Sequence, residues 1–140
     1  MADDPWDELI AAARAATARS YAPYSGLRVG AAARVDDGRI VVGCNVENAS
    51  YGLSLCAETV LVGALVAGGG GRLAELACVS GSGEVLMPCG RCRQVLYEHG
   101  GAALLITTGG RPRPLGELLP DAFGPDDLPA RRAPVPNGAP

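Results

Sequence analysis

A chain of 140 residues with a formal net charge of −3 and no run of Lys or Arg lacks the basic stripe that neutralises phosphates, so long nucleic acid is not an expected partner. Aromatic residues make up 4% of the chain against 48% hydrophobic residues in all, which disfavours an aromatic-rich β-sandwich and calls for a core of Ala, Val and Leu around short elements. One domain is expected at this length, with roughly two-thirds of the unfolded chain's surface removed on folding.

The opening "MADDPWDEL" carries acid where a signal peptide has a basic head and an apolar stretch. The most apolar run, residues 60–67, is far shorter than the ~20 residues that cross a bilayer. No membrane partner and a cytoplasmic location are therefore expected. Residues 5–19 read as a helix with Trp6, Leu9, Ile10 and Ala13 on one face and Asp7 and Glu8 early, where the helix dipole favours acid. The turn-forming cluster at 21–26 ends it, and residues 28–35 and 39–46 form a predicted hairpin around Asp36-Asp37-Gly38. A helix over 55–67 stops at the glycines 68–71, and residues 75–80 read as a short buried strand.

A second loop-to-helix junction follows at "MPCGRCRQ", the helix running from Cys92 to His99. Further strands are expected at 103–107 and 111–115, with a helical turn at 116–119. The domain is taken as residues 1–128, and the Pro-rich tail 129–140 is expected to be disordered. An opening hairpin followed by alternating helices and strands gives an α/β fold, a three-layer α-β-α sandwich on a mixed five-stranded sheet.

Five cysteines, an odd number with no export signal, argue against a disulfide framework and for metal binding or catalysis. Cys78 lies in the apolar run of a predicted strand and Cys44 alternates along the hairpin, so both read as core thiols. His99, in the last turn of its helix, reads as a cap on free carbonyls. Cys56 remains to join Cys89 and Cys92. Two helix starts, where the dipole favours thiolates, would then present three sulfurs. Three protein ligands leave a fourth position open, as in catalytic zinc sites. Glu58, two residues beyond Cys56, falls beside the metal position, where a carboxylate either moves protons or only stabilises the helix N-terminus.

Cys-Ala-Glu, a gap of about thirty residues and Pro-Cys-x-x-Cys form together the pattern of zinc nucleobase deaminases, in which a nonligand Glu is the acid/base. With "YAPYS" (21–25), "VGAA" (29–32), "GCNVENASY" (43–51), "CAE" (56–58), "PCGRCRQ" (88–94) and "LLPDAFG" (118–124), the chain strongly resembles the small homotetrameric cytidine deaminases of nucleoside salvage. The resemblance implies zinc-dependent hydrolytic deamination of cytidine and 2′-deoxycytidine, with one Zn²⁺ per chain on Cys56, Cys89 and Cys92 and Glu58 as proton shuttle. It implies that Asn45 and Glu47 bind the ribose 3′-hydroxyl and that the backbone near Ala57 and Cys89 holds the polar edge of the base. In a homotetramer with shared sites, Ala49 and Tyr51 would reach the 5′ end of the sugar from a neighbouring subunit, and Phe123 would close another subunit's site.

Two positions depart from the family pattern. Leu27 stands where the family generally has a Phe packed on the base, and Thr59 where many members have an Arg bonded to a zinc thiolate. Offsetting the charge of three thiolates is then expected to fall to the two helix N-termini and to Arg91 or Arg93, with a solvated surface charge as the alternative for Arg91. Two rival functions stay open: deamination of another aminopyrimidine nucleoside such as blasticidin S, and a noncatalytic zinc module in which Cys44 or Cys78 would be the fourth ligand.

Overall fold

A computed structural model describes residues 4–129. The first helix, α1 (Pro5–Thr17), starts where expected: Asp4 accepts the Trp6 N–H at 3.0 Å, Pro5 occupies the first turn and Asp7 and Glu8 follow. Leu9 and Ala13 are fully buried on its inner face, with Trp6 and Ile10 packed at the margins. Strands β1 (Val29–Val35) and β2 (Ile40–Cys44) form the hairpin, whose turn requires a positive φ of 92° at Gly38.

Next come α2 (Ala57–Ala67), β3 (Leu73–Ser80), α3 (Gly90–Gly100), β4 (Leu105–Ile106), β5 (Arg113–Pro114) and α4 (Leu115–Leu118). Five strands lie in the order β2-β1-β3-β4-β5, parallel only between β3 and β4. Alternation along β1 separates two cores. Ala31, Ala33 and Val35 pack with Leu61 and Leu65 of α2 and Leu96 of α3, while Ala32 packs with Leu9 and Ala13 of α1 and with Ala77 and Val79 of β3. Helix α1 thus covers one face of a mixed five-stranded sheet and α2 and α3 the other, the expected three layers.

Several boundaries move for identifiable reasons. β2 ends at Cys44 instead of residue 46, because the chain leaves the sheet there and Val46 exchanges backbone hydrogen bonds with Leu55 at 2.9 and 2.8 Å. The same pairing holds Leu55 extended and delays α2 to Ala57. The last two strands shrink to two residues each, β5 being flanked and filled by Pro112 and Pro114, which have no N–H to give a ladder. His99 makes no side-chain hydrogen bond among the described residues. The cap expected of it is made by Arg72, which donates to the Glu98 carbonyl at 3.2 Å. Residues 130–140 of the predicted tail lie outside the described residues.

Gly43 fixes how closely α2 approaches the sheet. A Cβ there would stand 2.3 Å from the Ala57 carbonyl oxygen and 2.5 Å from the Leu61 nitrogen, both backbone atoms of α2. Gly43→Ala must therefore push away the helix start that carries Cys56 and Glu58. Overpacking of this kind costs about 1–3 kcal/mol. The expected result is a melting temperature several degrees lower together with less than one metal ion per purified chain, read by thermal denaturation and elemental analysis.

Candidate metal centre and pocket

Cys56 is the N-cap of α2 and Cys89 the N-cap of α3, both extended (φ −71°, ψ 156° and φ −65°, ψ 166°) and neither using its side chain as a cap. Cys92, three residues on, lies in the first turn of α3 and is fully buried. The three Sγ atoms lie within 4.8 Å of one another. Sulfurs on a tetrahedral zinc with Zn–S bonds of ~2.3 Å are roughly 3.8 Å apart, so the trio suits that ion, and soft thiolates select it. Cys56 is half-buried and Cys89 exposed, which leaves the group open on the side of a pocket of about 410 Å³.

Among the described residues no fourth His, Cys, Asp or Glu joins this group. Cys44 is only half-buried and lines a separate groove beside α1, so it is a margin residue more than a core one. Cys78 is buried, and its Sγ donates to Oε1 of Glu58 at 3.3 Å. The fourth protein ligand that a closed structural zinc site needs is therefore missing from the described residues.

Burial pushes the Cys56 thiol up, with the charges of Cys89 and Glu58 adding to it. Burial also pushes Cys92 up, helped by Glu58. For Cys89, partial burial is outweighed by the hydrogen bond from the Cys92 backbone N–H and by the neighbouring thiols, so it lies below its ordinary value. Two of the three thiols thus hold their protons tightly, and a cation among the sulfurs is what would release them.

Outside the three cysteines, Thr59 brings a side-chain donor to a ligand sulfur. Its hydroxyl lies 3.7 Å from Cys92 Sγ and, once that thiol is deprotonated, can only donate to it. Arg93 points elsewhere, its Nε donating to the Pro88 carbonyl at 2.8 Å and its Nη1 to the Leu118 carbonyl at 2.9 Å. Arg91 is exposed, and its side chain makes no hydrogen bond among the described residues. Neither guanidinium reaches a sulfur. Arg93 instead fixes the backbone just before Cys89.

Glu58 is 4% exposed in the first turn of α2 and faces the pocket with Cys56, Ala57 and Cys89. Asn45 and Glu47 line the same pocket, carried there by the segment that leaves β2. Asn45 Oδ1 accepts the Val29 N–H at 2.9 Å and the Ser20 hydroxyl, and its Nδ2 donates to the Leu27 carbonyl at 2.8 Å. Glu47 Oε1 accepts the backbone N–H groups of Tyr24 (2.9 Å) and Ser25 (3.1 Å), and Oε2 accepts the Ser25 hydroxyl at 2.5 Å. The Ser25 hydroxyl first, then these N–H groups, hold the Glu47 carboxyl below its ordinary range, so it is ionised.

Leu27 lines the wall with more than half its surface exposed. Tyr51 stands beside the pocket in a 3-10 turn (Tyr51–Leu53), edge-on to Tyr24 with ring centroids 5.8 Å apart, lining a second hollow that shares Ser25 and Glu47. Ala49 and Phe123 are exposed and line neither space. Gln94 donates to the Phe123 carbonyl at 2.7 Å, holding that segment on α3. Sequence reasoning overlooked Ser25 as the anchor of Glu47 and Cys78 as the partner of Glu58. Each contact joins residues at least 20 positions apart, and residue type alone gives no sign of it.

Residues 5–108 match the family model described as the cytidine and deoxycytidylate deaminase zinc-binding region. A cytidine deaminase of Mycobacterium tuberculosis is 65% identical over 132 residues, covering 94% of this chain and 99% of that protein. The crystal structure of cytidine deaminase from M. tuberculosis superposes with a TM-score of 0.84 at 66% identity over 87% of this chain and 99% of the other. That of cytidine deaminase from Mycobacterium leprae gives 0.82 at 58% identity over 85% of this chain and all of the other.

Proposed function

Because the chain belongs to the cytidine and deoxycytidylate deaminase zinc-binding family, we propose that it deaminates cytidine and 2′-deoxycytidine hydrolytically to uridine and 2′-deoxyuridine in pyrimidine salvage. The observation that carries this reading is one pocket lined by Glu58, Asn45, Glu47 and two cysteines, Cys56 and Cys89, whose sulfurs group with that of the buried Cys92. Cys56, Cys89 and Cys92 would hold the zinc, which would supply the Lewis acidity that eases ionisation of water near neutral pH.

The chain's own residues account for the rest. As water adds to C4 of the base, Glu58 takes one of its protons and gives it to N3; it then takes the second from the new C4 hydroxyl and passes it to the amine, so that C4=O forms as the C–N bond breaks and ammonia leaves. Backbone groups near Ala57 and Cys89 hold the polar edge of the base, and Leu27 covers it with an aliphatic surface. A carboxylate has about four acceptor sites, and Tyr24 and Ser25 fill three of those on Glu47, leaving one for a sugar hydroxyl. Asn45 Nδ2 spends one N–H on Leu27 and keeps the other for that hydroxyl's oxygen.

The same wall argues for nucleosides over nucleotides. Among the described residues no Lys, Arg or His lines the pocket, while Glu47 and Glu58 do, so a phosphate entering it would be unpaired. We read residues 1–128 as the working domain in the cytoplasm, where a reducing environment keeps three thiols free for metal. A homotetramer is consistent with the exposure of Ala49, Tyr51 and Phe123, which would then complete a neighbour's site.

The test uses the purified protein carrying one zinc per chain. The expected result is loss of the cytosine absorbance with cytidine and deoxycytidine, and no change with their 5′-monophosphates. Turnover of blasticidin S with cytidine untouched would move the activity to another aminopyrimidine nucleoside. Turnover of the monophosphates would overturn the argument from charge.

A further inference from the structure

A carboxylate that carries protons must be held in one orientation without being neutralised. Glu58 is almost fully buried, and no Lys, Arg or His lines its pocket among the described residues. Its one side-chain hydrogen bond among those residues comes from Cys78, whose Sγ lies 3.3 Å from Oε1. Cys78 is 1% exposed, on the central strand β3, where alternation turns Leu76 and Cys78 toward α2 and α3 and leaves Ala77 and Val79 facing α1. The strand is paired with β1 at this position, and the Cys78 carbonyl accepts the Leu86 N–H at 2.8 Å, so the thiol stands on fixed backbone.

We propose that Cys78 is a positioning residue for proton transfer, its S–H holding Oε1 of Glu58 so that Oε2 is the oxygen that takes and returns the proton. The thiol suits the task for a chemical reason. Its S–H is a single donor on fixed backbone, so it can hold one carboxylate oxygen and leave the other free. Burial, then the charge of Glu58, pushes the Cys78 thiol up, so it keeps the proton it donates. The assignment rests on Glu58 being the proton carrier, as proposed above.

Steady-state kinetics and zinc content of Cys78→Ala, Cys78→Val and Cys78→Ser, beside Glu58→Gln, test it. Ala and Val bracket the volume of Cys without a donor, and Ser keeps one. The expected result is a roughly 10-fold fall in kcat for the Ala and Val variants, with KM within about twofold and zinc unchanged, and recovery of most of kcat in the Ser variant. Full kcat in zinc-loaded Cys78→Ala or Cys78→Val overturns the proposal. So does a Ser variant no better than either at equal zinc content, since packing would then be the whole role. Turnover surviving in Glu58→Gln would instead remove the premise, which separates the two failures.

Discussion

Glu58→Gln is expected to keep its zinc and lose its turnover. The amide matches the carboxylate in size and still offers an oxygen to the Cys78 S–H, so the first turn of α2 and the adjacent Cys56 should stay in place. What disappears is the group that can take a proton from water and return it to N3 and to the leaving amine. A placed acid/base group contributes roughly 10²–10⁴ in rate, and here one residue serves several transfers, so the loss should reach the upper part of that range. The measurement is kcat on cytidine with metal content and melting temperature determined on the same preparation. Turnover within tenfold of the parent would mean that a different group carries the proton.

Removing the metal should cost both activity and stability. Without a cation, Cys92 is a fully buried thiol facing two others and the Glu58 carboxylate. With zinc bound, the protein gains RT ln(1 + [Zn]/Kd), which is about 4 kcal/mol when free zinc is a thousandfold above Kd. Chelation is thus expected to lower the melting temperature and abolish deamination. Zn²⁺ should restore both, and Mg²⁺, which prefers oxygen ligands, neither.

The pH dependence has a definite sign. Cys56 and Cys92 are shifted up, so holding zinc requires removal of protons that these thiols keep tightly. Zinc retention therefore falls as pH falls, and the stability that depends on metal goes with it. A dialysis series should show metal leaving on the acid side, and a retention curve rising toward acid would contradict the thiolate site.

Local signals carried most of this protein's architecture. The Asp4 cap, the Asp-Asp-Gly turn and the glycines after α2 each act within a few residues, and each placed its element close to where it lies. The three cysteines that could hold a metal were legible for a related reason: helix starts are written locally, and two of the sulfurs sit at such starts. What escaped notice was long-range partnering. Arg93 was read by its place next to Cys92, yet its guanidinium is drawn to carbonyls of residues 88 and 118. Thr59 was read as a missing partner, yet its own hydroxyl lies 3.7 Å from Cys92 Sγ. His99 gave way to Arg72, which approaches from the end of another loop. In each case the winning group reaches its target across five or more residues of chain, so no local pattern could rank it.

Helix α3 has a double load. Its first turn presents Cys92 and follows Cys89, and the side chains of Arg93 and Gln94 grip the backbone of Leu118 and Phe123. Tyr97 adds a stop, since a Cβ on Gly124 would meet its ring at 2.7 Å. One rigid rod thus sets both the sulfurs at the floor of the pocket and the aromatic ring displayed on the outside of the chain. The ring has no independent address: its position in space is dictated by the helix whose first turn carries Cys92.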